Sequence, residues 1–308
     1  EDGLVPLTDR HGHFIENKNC NDVKGTDCGS EGRLEKEPSG SATSYMFLFA
    51  SRYEGLPPIA MFDYNPTRGG YHSTDFIGEG YDGYFICDGF SGYNRLKKAR
   101  RCGCAAHLRR KFYDALRNKS GPPDETDPAT KPFIIINRIF DLERGLKGLP
   151  ADEIKRRRND EQAPVWEEFW DALEKIVPRK GSNLDKALTY AHNQKDTFST
   201  YLQDGRIPLT NAYAELQAKS YATGRKNFLF HNTARGARSA AIIMSLIETA
   251  KLNEINPEEY LTELITHSQE YINDPAMAKE YLPWSDKMQK TCGLKNGKAD
   301  RTEPIQRN

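Results

Sequence analysis

Gly83-Tyr84-Phe85-Ile86-Cys87-Asp88-Gly89 is the stretch on which the reading of this chain turns. Tyr84 to Cys87 form an unbroken apolar run closed by Asp-Gly. A short run without polar alternation suits a strand covered on both faces, as in the sheet of an α/β protein. Open α/β sheets bind ligands beyond the carboxyl ends of their strands, where Asp88 falls. On local sequence alone an Asp-Gly pair is equally a plain turn. Upstream, Tyr45-Met46-Phe47-Leu48-Phe49-Ala50 reads as another buried strand. Gly55-Leu56-Pro57-Pro58 reads as a turn, and Ile59-Ala60-Met61-Phe62 as a strand ending at Asp63, ahead of Asn65-Pro66. Leu4 to Thr8 suits a short strand, and Asn17 to Ser44, rich in Gly, Ser and charge, a long loop.

Downstream the pattern turns helical. Cys104 to Arg117 carries an apolar stripe at Leu108, Phe112, Ala115 and Leu116. Phe133 to Leu146 suits a helix, and Trp166, Phe169, Trp170, Leu173, Ile176 and Val177 recur at helical spacing. The charge run Lys155 to Arg158 reads as a solvated helix face. Asp204-Gly205-Arg206 is a turn and Ile207-Pro208-Leu209 is extended. Thr210 or Asn211 then caps a helix bearing Glu215, with Tyr213 and Leu216 on its burying side. A helix over Gly236 to Leu252 reads as core along Ala240, Ile242, Ile243, Leu246 and Ile247. Asn256-Pro257-Glu258-Glu259 combines an N-cap, a Pro in the first turn and acids against the dipole. Beyond Tyr271 periodicity fades, which suits a flexible tail. Strands followed by helices define a mixed α/β class. The division is 1–120, strands and first helix of a core; 121–203, a helical insertion; 204–255, the second part of the core; and 256–308, a terminal helix and tail.

Composition narrows the class. The chain has 308 residues, enough for a sizeable core, with 37% hydrophobic and 29% charged residues. Lys and Arg number 44 against 44 Asp and Glu, so any attraction for polyanions must be local. No apolar run approaches the ~20 residues of a membrane-spanning helix, so no membrane partner is expected. Six cysteines without a regular framework suit a reducing cytoplasm. A first residue Glu1 suggests a chain that starts inside a longer product.

Asp88 at a strand end and Glu215 in the first turns of a helix are the candidates for chemistry. Carboxylates on two elements can share divalent metal. A Glu in a first helical turn is also a common solvated, dipole-compensating residue. Asn211 lies one helical turn before Glu215. Arg95, Lys97, Lys98, Arg100 and Arg101 precede His107, Arg109, Arg110 and Lys111; Lys219, Arg225, Lys226, Arg235 and Arg238 follow Glu215. Such local positive charge is what phosphate contacts need. Cys102, Cys104 and His107 have the spacing of half a zinc site; buried cysteines and a helix-start histidine are the plainer reading.

Ordered blocks then carry a resemblance. They are Asp88-Gly89-Phe90-Ser91-Gly92-Tyr93-Asn94, Cys104-Ala105-Ala106-His107-Leu108-Arg109-Arg110-Lys111-Phe112, and Asp204-Gly205-Arg206-Ile207-Pro208-Leu209-Thr210-Asn211. The last runs through Glu215 to Gly224-Arg225-Lys226-Asn227-Phe228-Leu229-Phe230. Ile247 to Leu252, Pro257 to Leu261 and Leu282-Pro283-Trp284 continue the series. Together they resemble the insertion sequence 66 family of bacterial transposases.

The resemblance implies a ribonuclease-H-like mixed sheet flanked by helices, with a helical insertion before the catalytic Glu of an Asp-Asp-Glu triad. Asp88 matches the second Asp and Glu215 the Glu. The first Asp is assigned to Asp2, with Asp9 as runner-up; Asp63 falls on the third strand in the family's order, and Asp124-Glu125-Thr126 stands in the wrong place. Leu216 and Lys219 stand where the family often has Arg. Lys219 keeps the charge but not the fork geometry. Mg²⁺, replaceable by Mn²⁺, is the implied cofactor on Asp88, Glu215 and Asp2. DNA is the implied partner, held through His107, Arg109, Arg110, Asn211, Lys219, Arg225 and Lys226. A homo-oligomer on DNA and a location at the bacterial nucleoid follow from the same likeness. The implied function is metal-dependent DNA cleavage and strand transfer. An inactive remnant that binds DNA or a partner subunit is the alternative, and a zinc-stabilised helical module the third reading.

Overall fold

A computed structural model describes residues 14–24, 43–53, 55–117, 124–228 and 233–294. Among the described residues five strands come first, with one helix among them and one after: β1 (Phe14–Lys24), β2 (Thr43–Tyr53), β3 (Leu56–Asn65), α1 (Tyr71–Ile77), β4 (Tyr84–Cys87), β5 (Arg100–Gly103) and α2 (Ala105–Ala115). Helices follow: α3 (Thr130–Arg144), α4 (Ala151–Arg157), a π-helical turn (Arg158–Gln162), α5 (Ala163–Glu174), α6 (Asn183–Asn193), α7 (Lys195–Phe198), α8 (Ala212–Phe228), α9 (Ala234–Leu252), α10 (Pro257–Thr266), α11 (Ser268–Asn273) and α12 (Asp286–Cys292). The class is mixed α/β, with strand order β3-β2-β1-β4-β5. β1 starts just ahead of the segment read from sequence as loop, Asn17 to Ser44, and runs into it as far as Lys24. The expected strand at Leu4 to Thr8 lies outside the described residues.

The chain forms two compact units. The first takes in Asn19–Arg68 and the chain from Gln217 onward. Its β2–β3 hairpin is antiparallel, from Tyr45 opposite Asn65 to Tyr53 opposite Leu56. Gly55 takes φ +81° in the turn, and Leu56 to Pro58, read from sequence as part of that turn, already belong to β3. Prolines are tolerated there because β3 is an edge strand. Ala60, Phe62 and Tyr64 alternate into a core with Met46, Leu48, Ala218, Tyr221, Ala237 and Ala241.

α9 closes that edge. Its buried face is Ala237, Ala241, Ser245, Glu248 and Thr249, not the isoleucine stripe expected: Ile242 is 62% and Ile243 48% exposed. The small side chains let the helix lie close enough to bond the strand backbone. Phe62 N donates to Ser245 Oγ at 2.8 Å and Ala60 N to Thr249 Oγ1 at 3.1 Å. Thr249 Oγ1 returns a bond to Ala60 O at 3.0 Å. Edge-strand groups that would otherwise recruit another strand are thereby occupied.

α10 begins as its sequence indicates, with Asn256 Oδ1 accepting from Glu258 N at 3.0 Å. The region read as a flexible tail instead carries α11, a 3₁₀ turn (Pro275–Tyr281) and α12. Met288 and Cys292, wholly buried, pack with Ile255, Tyr260 and Tyr281. A segment this short needs no long periodic stripe to dock; two buried side chains and the Ile255–Gly293 bridge hold it.

The second unit takes in Thr8–Lys18 and Gly69–Leu216. Here β1, β4 and β5 run parallel, with Ile15 opposite Phe85, Ile86 opposite Cys102 and Cys87 opposite Gly103. All of Tyr84 to Cys87 is buried, as the unbroken apolar run requires. The helices beyond Thr130 gather on an aromatic core in which Trp166 packs on Phe169 and Phe198, and Phe169 on Phe112. Val177, expected in the α5 stripe, lies past that helix's end and is 94% exposed.

Arg158 departs from the solvated run expected of it. It is buried, at the start of the π-helical turn. It pairs with Glu143 and donates through Nη1 to the carbonyls of Tyr201 (3.1 Å), Asp204 (3.1 Å) and Ile207 (2.9 Å). Gln162 Nε2 holds the same carboxylate at 2.9 Å. The π-turn shifts the helical register so that Arg158 faces inward while Lys155 and Arg156 stay exposed.

Candidate active site

The ends of β4 and β5 and the start of α8 meet in the second unit. Asp88 follows β4 directly, and Phe90 N donates to its Oδ1 at 3.0 Å, so the turn geometry of an Asp-Gly pair is realised. Gly89 is required here: a Cβ on it would lie 2.4 Å from the Tyr190 ring. Gly92 is equally constrained, with Gly70 Cα 2.9 Å from where its Cβ would stand. Asp88 itself is half-buried.

Cys104 ties the elements together. Its N–H donates to Cys87 O at 3.1 Å, extending the β4–β5 register, and Ala105 N donates to Leu209 O at 3.1 Å. Cys104 is the residue before α2, and its sulfur faces the amides of Asn211, His107 and Ala106. Burial pushes its thiol up to about 11, with the Glu215 charge adding to the rise. Burial pushes Cys87 up to about 12, against the nearby Arg101, and Asp88 adds to the rise. The Tyr190 hydroxyl is raised by burial first, then by Cys104 and Asp88. These buried groups therefore sense both carboxylates.

Glu215 stands in the first turn of α8, its N–H bonded to Asn211 O at 3.1 Å. His107 Nε2 lies 3.6 Å from Glu215 Oε1, each side chain 31% exposed. Asn211 is buried. Leu216, expected to bury, is 58% exposed, because Ala214, Gln217 and Ala218 occupy the inner face of α8.

The other basic candidates divide. Arg109 and Arg110 are exposed on α2. Arg109 pairs its Nε with Asn137 Oδ1 and lies 5.1 Å over the Phe133 ring. Lys219 is exposed on α8 within the first unit. Arg225 and Lys226 fall on α8, and their side chains lie outside the described residues, as do Asp2 and Asp9. The Asp124 carboxylate accepts from the N–H and hydroxyl of Thr126 in a local turn. Cys102, like Cys104, is a buried thiol whose proton is held more tightly than usual by burial. Among the described residues no group of three or more His, Cys, Asp or Glu is placed to hold a metal ion. None of the described helices is long and apolar enough to cross a membrane. Sequence reading missed the joining role of Cys104 and the packing of Tyr190 over Gly89; neither residue type signals such a role.

An α/β unit with a carboxylate at a strand end and another at a helix start is a common frame for chemistry on phosphate esters. The comparisons give the particular family. Residues 31–239 match the model described as Transposase IS66 family, and residues 245–284 the IS66 C-terminal element. The chain belongs to the IS66 transposase family. It is 28% identical over 247 residues to the uncharacterized protein y4hP of Sinorhizobium fredii (strain NBRC 101917 / NGR234), covering 74% of this chain and 44% of that protein. Uncharacterized protein y4qI of the same strain is 28% identical over 244 residues, covering 75% and 44%. The chain thus spans under half the length of these relatives. No solved structure matches it. Asp2 lies outside the region matched to the transposase model.

Proposed function

We propose that this chain carries the catalytic core of a DNA transposase of the Asp-Asp-Glu type, with Asp88 and Glu215 as two of its metal-binding carboxylates. The observation that carries the reading is the junction at Cys104, where Cys104 N donates to Cys87 O at the end of β4 and Ala105 N, at the start of α2, to Leu209 O in the segment leading into α8. A strand order β3-β2-β1-β4-β5, antiparallel across β2 and β3 and parallel across β4 and β5, supports a ribonuclease-H-like sheet. Asp88 and Glu215 offer only oxygen, and both stay partly open to water, which suits Mg²⁺ or Mn²⁺ keeping water ligands. When bound, such metal activates a water or a 3′-hydroxyl and stabilises the leaving oxygen. The residues of the chain do the rest. His107 holds Glu215 from the side of α2, and Arg109, Arg110, Lys219, Arg225 and Lys226 supply positive charge for DNA phosphates. The protein would act as an oligomer on DNA.

The test is binding and cleavage together. Mn²⁺ titrated into the chain is expected to bind, and Asp88→Asn and Glu215→Gln to lose that binding. In the full-length protein the same changes are expected to abolish Mg²⁺-dependent nicking of DNA bearing the element's ends. Nicking that persists in both variants would sink the assignment. A second reading rests on the third carboxylate. Asp2 lies outside the matched region, and no three-ligand group occurs among the described residues. It makes the chain an inactive family member that binds DNA without cutting it, and DNA binding without metal-dependent cleavage would select it.

A further inference from the structure

The basic face of α2 does not end at the carboxylates. Ala106, Arg109, Arg110 and Tyr113 form one stripe of α2 that opens onto a cleft of about 780 Å³ against α3, within the second unit. On the α3 side stand Asn137, Phe140, Asp141 and Arg144. Arg109 is held in place by the bond its Nε donates to Asn137 Oδ1 and by the Phe133 and Phe140 rings, at 5.1 and 5.9 Å. Asp141 pairs with Arg144 and neutralises it, so the net charge of the cleft comes from Arg109 and Arg110. Tyr113, 39% exposed, presents its ring at the lip with its inner side against Phe133, ring centres 5.8 Å apart.

We infer that the α2–α3 cleft is a binding site for single-stranded DNA, with Arg109 and Arg110 on the phosphates and Tyr113 stacked on an unpaired base. The combination selects this ligand. The fixed guanidinium of Arg109 and the exposed one of Arg110 match phosphate oxygens, and their charge alone would serve any nucleic acid. An aromatic ring at the lip is useful only to a base whose face is uncovered, which a duplex does not offer. The cleft volume lies in the range of sites that enclose small groups, so a nucleotide enters. His107, one residue from Ala106 on the same helix, faces Glu215. A strand leaving the carboxylates along α2 would pass over this cleft. The inference rests on the transposase reading for its biological setting but not for its chemistry.

The experiment measures fluorescence anisotropy of the whole chain with a labelled oligothymidylate and with a duplex of the same length. The single strand is expected to bind more tightly than the duplex. Tyr113→Ala is expected to weaken single-strand binding about tenfold and leave duplex binding unchanged. Arg110→Ala is expected to flatten the salt dependence of single-strand binding by about 0.7 in log–log slope, as for one lost phosphate contact. Both residues are exposed, so folding is not at stake, and unchanged far-ultraviolet circular dichroism verifies that. Equal affinity for strand and duplex, or full affinity in Tyr113→Ala, overturns the cleft assignment. Asp88→Asn and Glu215→Gln are expected to keep single-strand binding. If they do while no cleavage is found in any form, the catalytic reading fails and the cleft stands.

Discussion

Arg158 shows how much one side chain can hold. Its guanidinium spans from Glu143 on α3 to three carbonyls in the segment leading to α8. Arg158→Ala removes the cation, leaving the Glu143 carboxylate with the Gln162 bond but no paired charge, and takes the guanidinium from three carbonyls. Breaking a buried pair from one side costs about 3–5 kcal/mol. A urea unfolding curve should show a loss of that order, whereas Arg156→Ala, exposed on the same run, should change stability by under about 1 kcal/mol. Equal, small losses would mean that the Arg158 bonds contribute nothing net. A charged run in sequence looks alike whether its last member faces water or carbonyls; here the π-turn decides, and its i→i+5 bond has no residue signature. Asp88 was readable because a buried strand must end somewhere, and its carboxylate marks that end. Cys104 was not readable as a junction, since a cysteine before a helix carries no distinctive pattern.

α9 makes the same point over a longer span. Its isoleucines suggested a core stripe, yet alanine, serine and threonine are what it buries. Apolar periodicity assumes that burial is maximised, but a helix lying on an edge strand is limited by how near the backbones can come. Ser245 and Thr249, one helical turn apart, meet Phe62 and Ala60, two residues apart on β3. The spacings agree because a helical turn and two strand residues cover similar distances, 5.4 Å and about 6.8 Å. Ser245→Ala and Thr249→Val each leave a buried N–H unpaired, at about 1–3 kcal/mol. Thermal melts of the single and double variants would test this. Losses that sum to less than about 1 kcal/mol in the double variant would show that water replaces the bonds. The cap of α10, by contrast, was legible. Asn256-Pro257-Glu258 names its own helix start because the capping bond lies within three residues.

At the scale of the molecule, the buried thiols of Cys87, Cys102 and Cys104 give a pH dependence. Burial holds Cys87 near 12 and Cys104 near 11, and raises Cys102 as well, against 9.0 for each unburied thiol. Raised in the folded state, these groups contribute stability that is present below pH 9 and lost as pH climbs toward the folded values. The unfolded chain then releases protons that the folded chain keeps, so its free energy falls. Urea midpoints should be level between pH 7 and 8.5 and decline from pH 9 to 11, and replacing Cys87 and Cys104 with Ala should flatten the decline. A midpoint rising across that window would contradict the burial of these thiols. The α/β class, the buried β4 strand, the positions of α2, α3, α5, α8, α9 and α10 and the family could be read from residues alone, because each is encoded in short-range pattern or in ordered motifs. Which face of α9 packs, that residues 275–292 dock, that Arg158 turns inward and that Cys104 joins β4 to α8 depended on tertiary structure. Each of these rests on partners far away in the chain, and backbone bonds between distant segments leave no mark on side-chain pattern.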